Sequence, residues 1–223
     1  MSPGQPLRVT ECANQIIGRI GLMANPYFAA LRGGAMSREQ FRDSQAQFFF
    51  AVRFFPRPMA ALLARLPDPD SRLDILHNIV EEHGEFHREQ FHQNTFRAFL
   101  ASIGGSSPPA EKMWPAVHAF DSILMAACAV DDLDVGICCL GIIEHAFAEI
   151  SGIIGKAVVD RGWVARDKLV HYKLHAEIDV RHAQEFFAIV ESGWDDPARR
   201  TQIRMGLELG AYAFDQLYRG LMM

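Results

Sequence analysis

The sequence contains no histidine in its first 76 or last 41 residues, because all nine lie between His77 and His182. It also lacks any block rich in lysine and arginine, and 22 basic against 27 acidic residues give a net charge of −5. A surface for nucleic acid or for an anionic membrane therefore has no electrostatic support. Cysteine is scarce, and the positions of Cys12, Cys128, Cys138 and Cys139 do not form a disulfide framework, which favours buried thiols in a reducing cytoplasm.

Segments typical of targeting and membrane insertion are absent as well. The N-terminus has neither a basic region nor an apolar stretch, so residues 1–7 are expected to form a disordered arm. The longest nearly uncharged apolar run, Val135 to Ile143, is too short to cross a bilayer. These absences predict a cytoplasmic protein with no membrane partner.

Helical periodicity dominates what is present. Apolar residues make up 49% of the chain and recur at helical spacing, with no convincing alternation of period two. We therefore predict an all-α fold in a single domain, residues 1–223, since no linker is long enough to divide it. The seven predicted helices are Arg8 to Leu31 with a break at Asn25-Pro26, Ser37 to Arg65 with a Ser37/Gln40 capping box and bends at Pro56 and Pro58, Asp70 to Gly104 with Gly84 as a point that can break or loosen it, Ser107 to Asp131, Asp134 to Gly162, Arg166 to Glu191, and Asp195 to the C-terminus.

The strongest chemical pattern is His175, Asp179 and His182 in the sixth helix. Positions i, i+4 and i+7 fall within an arc of roughly 60° on one helix face. Iron, manganese and zinc all accept a stripe of imidazole, carboxylate and imidazole. The competing interpretation is a solvated face that carries these residues by chance. His171 extends the stripe by one turn and is expected to support the site or to lie at the surface.

A second group of polar residues surrounds Gly84. If the helix is regular, Glu85, Glu89 and His92 share an arc of about 80° with Glu82. Such a charged segment is often merely solvated. The segment gains significance when it is considered together with His175, Asp179 and His182, because a metal site in a helix bundle needs ligands from several facing helices.

Glu144 is the third candidate, since it stands among apolar residues that include Cys138 and Cys139. An ionised carboxylate in such surroundings needs a partner. That partner is either a metal or an arginine, unless Glu144 lies at the edge of the apolar face. The two cysteines lie off the face of Glu144 and are expected to be core residues.

The candidate ligands together comprise three carboxylates and three imidazoles, a set closer to a non-haem iron site than to a zinc site. They are Glu82, His92, Glu144, His175, Asp179 and His182.

Over about residues 37–191 the sequence resembles the haem-oxygenase-like diiron oxidase and oxygenase superfamily, relatives of TenA and pyrroloquinoline-quinone synthase. The resemblance rests on Arg53-Phe-Phe-Pro-Arg57, Asn78-Ile-Val-Glu-Glu-His-Gly84, His92, Phe99-Leu100, Glu144 and His175-x-x-x-Asp179-x-x-His182. It implies a seven-helix bundle that holds one or two Fe(II) ions and activates dioxygen.

The resemblance also implies roles for the individual ligands. Glu82 and His92 would bind one iron, Glu144 would bridge, His175 and Asp179 would complete the pair, and His182 would be a further ligand or a supporting residue. Some two-iron members supply another glutamate shortly before the position of Arg53, where this chain has Phe48. The resemblance therefore leaves one or two irons open, with Glu81, Glu85 and Glu89 as substitute ligands.

The resulting hypothesis is a non-haem iron oxidase or oxygenase that oxidises, cleaves or decarboxylates a small, partly apolar substrate, with Phe48 and Phe49 lining the pocket. The electron donor is not identified, and the segment from Gly210 to Phe214 suits either the bundle or a homodimer partner. One alternative is a metal-free TenA-like or pyrroloquinoline-quinone-synthase-like enzyme, for which Cys138 or Cys139 with Tyr212 or Asp215 is the candidate set. The other is a non-enzymatic helical interaction protein with the histidine stripe on its surface.

Overall fold

The computed structural model describes residues 7–222, and every regular element in that range is helical. The all-α prediction is therefore confirmed, although the described range contains more helices than the seven expected. They are α1 (Arg8–Ile20), α2 (Pro26–Gly33), α3 (Arg38–Phe54), α4 (Pro56–Arg65), α5 (Pro69–Glu82), α6 (His92–Ser102), α7 (Pro115–Ala129), α8 (Leu133–Asp160), α9 (Val170–Glu191) and α10 (Pro197–Gly220).

The additional helices arise where predicted helices are interrupted. The break at Asn25-Pro26 is present, and the Asn25 side chain accepts a hydrogen bond from the Tyr27 amide. Pro56 separates α3 from α4, because proline starts a helix well but cannot donate a backbone hydrogen bond within one. The predicted capping box at the start of α3 is also present, with Ser37 and Gln40 bonded to each other's backbone amides.

The predicted helix from Asp70 to Gly104 is broken at Gly84, the glycine expected to break or loosen it, and the break shapes the site. Helix α5 ends at Glu82, two short 3-10 turns follow, and α6 begins at His92. Gly84, Glu85 and Phe86 all have positive φ angles, of 55°, 51° and 68°. A Cβ atom on Gly84 would lie 2.5 Å from the carbonyl carbon of Gln90. The chain therefore reverses here, in a backbone conformation that glycine adopts readily.

Helix α8 is the central element of the bundle, and most of its residues are buried. It packs most extensively against α9 and α10. Close approach of α10 depends on Gly210, where a Cβ atom would lie 2.5 Å from the carbonyl oxygen of Cys139. The Glu144 carboxylate on α8 is thereby placed inside the core, facing neighbouring helices.

Two further expectations concern the chain end and the membrane. Residues 1–6 of the predicted arm lie outside the described residues, whereas Leu7 packs against the core just before α1. Within residues 7–222, α8 alone is long and apolar enough to span a bilayer, by length and composition. Its most apolar window is 72% buried in the bundle, as a central core helix would be.

Candidate metal centre

The structure brings all six predicted ligands into one buried region between α5, α6, α8 and α9. All six residues are buried, and the most exposed of them, Glu82, is only 7% accessible. Their burial excludes the interpretation of a solvated histidine stripe. The helices carry Glu82 (α5), His92 (α6), Glu144 (α8), and His175, Asp179 and His182 (α9).

Glu82, His92 and His175 form one group within this region. His92 Nδ1 lies 2.8 Å from Glu82 Oε1. The imidazole rings of His92 and His175 lie 4.6 Å apart, between centroids, and are nearly perpendicular. Helical phase does not bring Glu82 and His92 together, because the reversal at Gly84 turns α6 back towards the end of α5.

Glu144, Asp179 and His182 form a second group. One ligand atom from each lies within 4.8 Å of the others. His182 Nδ1 is 3.8 Å from Glu144 Oε1 and 3.7 Å from Asp179 Oδ1. The two groups adjoin, since His175 Nδ1 lies 2.9 Å from Asp179 Oδ1.

Polar neighbours hold the second group in place. His182 Nε2 lies 2.8 Å from Glu81 Oε2, and the Glu81 carboxylate also accepts hydrogen bonds from Arg181. Asn78 donates to Glu144 Oε1 over 3.3 Å. An imidazole bound to a metal through one nitrogen commonly donates from the other to a carboxylate, so Glu81 is placed to orient His182.

The other proposed substitute ligands lie outside this buried region. Glu85 is exposed beside Glu81 and His77, and Glu89 is exposed in the short turn before α6. Both were expected on the face of Glu82 in an unbroken helix. Because the helix ends at Glu82, the spacing of seven residues no longer places Glu89 beside it.

Electrostatics in the cluster are strongly perturbed. Burial, followed by the neighbouring Glu144 carboxylate, raises the pKa of Asp179. Burial and then His92 lower the pKa of His175 to about 3. Burial would lower the pKa of His182 too, but the Glu144 and Glu81 carboxylates raise it to about 10. The cluster thus concentrates negative groups whose repulsion a divalent cation would offset.

The donor atoms fit a metal ion. Within the described part of the chain, His175 Nε2 and His182 Nδ1 are buried and have no hydrogen-bond partner. An unpartnered polar atom in a protein interior is costly, and coordination would satisfy it. Carboxylate oxygens and imidazole nitrogens are the mixture that non-haem iron accepts.

An apolar cavity of about 50 Å³ adjoins the cluster. Its polar lining residues are Glu82, Glu144, His171 and His175. Its apolar lining comprises Phe48, Ala51, Val52, Phe55, Phe120, Ile143, Phe147 and Phe214.

The two phenylalanines expected at the pocket are placed differently. Phe48 lines the cavity. Phe49 is the next residue of α3 and is therefore rotated by about 100° around the helix. It packs against Phe50 and Phe96 instead of lining the cavity.

His171 is the residue whose position sequence reasoning left undecided. It is fully buried, lines the cavity, and lies 4.3 Å from the His175 ring, between centroids. Burial lowers its pKa well below the usual value. Its spacing of four residues from His175 was the signal that it shares the same helix face.

The candidate set for a metal-free enzyme does not assemble. Cys138 and Cys139 are fully buried, and burial raises the pKa of both thiols well above the usual value. Tyr212 is 55% exposed, on the outer side of α10. Asp215 is occupied by Asn25 and Arg219.

Known proteins resemble this chain over most of its length. The family model described as an iron-containing redox enzyme matches residues 42–214. A 4-aminobenzoate synthase from Chlamydia muridarum is 24% identical over 179 residues, which cover 79% of this chain and 75% of the synthase.

Two solved structures share the fold. A TenA homologue from Pseudomonas syringae has a TM-score of 0.75 and 18% identity, over 96% of this chain and 89% of that one. A domain of unknown function with a haem-oxygenase-like fold from Shewanella denitrificans has a TM-score of 0.70 and 16% identity, over 95% and 89%. The predicted haem-oxygenase-like fold is thereby confirmed.

Proposed function

Because the chain belongs to the family of iron-containing redox enzymes, whose model matches residues 42–214, we propose that it is a non-haem oxidase or oxygenase acting on a small, partly apolar substrate. The observation that carries this proposal is the cluster of six buried carboxylate and imidazole residues beside an apolar cavity. A small-molecule substrate accords with the enzyme family.

We propose two iron positions, one for each group of three residues. Glu82, His92 and His175 would hold one ion. Their contacts support this grouping, because His92 bridges the carboxylate of Glu82 and the ring of His175. Two imidazoles and one carboxylate leave further coordination positions open, as oxygen-activating iron sites require.

Glu144, Asp179 and His182 would hold the other ion. Their ligand atoms converge within 4.8 Å, and burial together with mutual repulsion makes an unneutralised pair of carboxylates unfavourable. In this grouping His182 is a ligand and Glu81 supports it from outside. Phe48 does not interrupt either group, since it faces the cavity.

Dioxygen is the proposed co-substrate. Bound ferrous iron supplies the electrons and the coordination site that dioxygen activation requires. The chain itself supplies fixed ligands and a cavity whose walls are mainly apolar, which disfavours water. At about 50 Å³ the cavity is well below the ~150 Å³ that holds benzene, so it suits a molecule the size of dioxygen.

The substrate class is proposed from the relative and the cavity together. The Chlamydia muridarum protein is a 4-aminobenzoate synthase, so formation of 4-aminobenzoate is the first activity to assay. A ring of that size would need displacement of phenylalanines such as Phe48 or Phe55. A homodimer stays a prediction.

Iron retention and oxygen uptake test the proposal. Protein loaded anaerobically with ferrous iron and desalted should retain iron by elemental analysis, and oxygen should then change its optical spectrum. His175→Ala and Glu82→Ala should lower retention, whereas His118→Ala, at an exposed position, should not. Unchanged retention in both cluster variants would show that the site is assigned wrongly.

A further inference from the structure

The imidazole of His171 has a buried nitrogen that no role described above uses. We propose that His171 Nε2 is a third imidazole ligand of the metal ion held by Glu82, His92 and His175. This inference rests on the proposed function of that group, and it adds a donor on α9 one turn before His175.

Helix spacing places His171 and His175 together. Two histidines four residues apart project from the same face of a helix and can bind one metal ion jointly. Their ring centroids are 4.3 Å apart, closer than the 4.6 Å between His92 and His175, which are assigned to the same ion. The His92 and His171 centroids are 6.3 Å apart, so His175 is the nearer neighbour of both rings.

Thr95 fixes which nitrogen of His171 is free. The Thr95 hydroxyl donates to the backbone carbonyl oxygen of His92 over 3.0 Å, and Thr95 Oγ1 lies 3.2 Å from His171 Nδ1. A hydroxyl group has one proton to donate. His171 Nδ1 must therefore carry the proton in this contact, which leaves an unprotonated lone pair on Nε2.

The free nitrogen belongs to a residue that borders the proposed metal group. His171 lines the same cavity as Glu82 and His175. In the described part of the chain, His171 Nε2 is buried and has no hydrogen-bond partner, a condition it shares with His175 Nε2 and His182 Nδ1. A buried polar atom without a partner is costly, and coordination of a metal ion would satisfy it.

Thr95 thus holds the imidazole of His171 by a hydrogen bond to Nδ1, as neighbouring groups usually hold metal-bound histidines. Thr95 orients His171, and its second hydrogen bond ties the orientation to the backbone of His92. One carboxylate and three imidazoles would still leave coordination positions free for dioxygen.

The test uses Co(II), a spectroscopic substitute for ferrous iron, bound to the full-length metal-free protein. Visible absorbance follows the binding of Co(II). We expect His171→Ala to weaken the affinity of the tighter Co(II) binding step more than about tenfold and to change the visible spectrum of the bound ion. Added imidazole should restore the wild-type spectrum, because the alanine leaves a space of that size. His145→Ala is the matched control, since His145 is bonded to Asn14 outside the cavity.

The outcomes separate this inference from the proposed function. If His175→Ala loses Co(II) while His171→Ala keeps wild-type affinity and spectrum, His171 is not a ligand and only this inference fails. If neither variant changes Co(II) binding, the proposed metal group itself is wrong. Should His171→Ala not fold, His171→Phe retains a ring in the cavity. The phenylalanine variant must then bind Co(II) with a visible spectrum that differs from that of the wild type, and a wild-type spectrum overturns the inference.

Discussion

His92 Nδ1 and Glu82 Oε1 lie 2.8 Å apart, although ten residues separate them in the chain. A continuous helix would hold these residues about 15 Å apart along its axis. The contact exists because the chain reverses at Gly84, so that the end of α5 meets the beginning of α6. The site therefore depends on a turn as much as on the helices that carry its ligands.

Replacing Gly84 should damage both folding and metal binding. The Gly84→Ala substitution would place a methyl group against the Gln90 backbone at a φ of 55°. We expect a loss of about 1–3 kcal/mol in unfolding free energy. Urea unfolding and elemental analysis of iron measure the two effects.

Gly18→Ala is the matched control for Gly84→Ala. Gly18 lies within α1, and a Cβ atom there meets nothing within 4 Å. Alanine favours a helix over glycine by up to about 1 kcal/mol, so this variant should be slightly stabilised and retain iron normally. Similar behaviour of the two variants would contradict the role assigned to the reversal.

Glu81 should matter without being a ligand. Glu81→Gln removes the carboxylate that faces His182 Nε2 and pairs with Arg181. Loss of such a supporting group typically weakens metal affinity about 10- to 100-fold. Competition with a chromophoric chelator measures the affinity. Glu89→Gln, at an exposed position, should leave it unchanged, and an equal effect of both substitutions would refute the distinction.

Asp121 should make stability depend on pH. Burial raises its pKa from 3.8 to about 7, despite the nearby Arg53 and Arg57. The folded state therefore binds this proton more tightly, and the stabilisation is greatest below pH 3.8 and is lost as pH rises through about 7. Asp121→Asn should therefore gain stability over the wild type as pH rises from about 4 to about 7.

Urea unfolding of the wild type and Asp121→Asn across this range measures the difference. Because every other group is shared, the change in the difference reports Asp121 alone. Asp167→Asn, at an exposed carboxylate, should keep the wild-type pH dependence. A difference that stays constant with pH would show that Asp121 does not titrate as proposed.

The sequence allowed the helical class and the three ligands on α9 to be predicted, because both follow from local periodicity. His175, Asp179 and His182 share a face for a reason contained within one helix. The burial of Glu144 could likewise be inferred from its apolar neighbours.

The pairing of Glu82 with His92 could not be derived correctly, because positive φ angles continue beyond Gly84 into Glu85 and Phe86. Side-chain spacing does not reveal such a turn. The same error placed Glu85 and Glu89 near the site. Phe49 was misplaced at the cavity because a run of phenylalanines gives no helical phase to separate its members.

Iron stoichiometry tests most directly whether two groups of three residues hold two ions. We expect the wild type, loaded anaerobically and desalted, to retain two irons per chain, and Glu82→Gln and Asp179→Asn to retain one each, with helical circular dichroism unchanged. A wild type that holds at most one iron, or full retention in both folded variants, would contradict the two-group site.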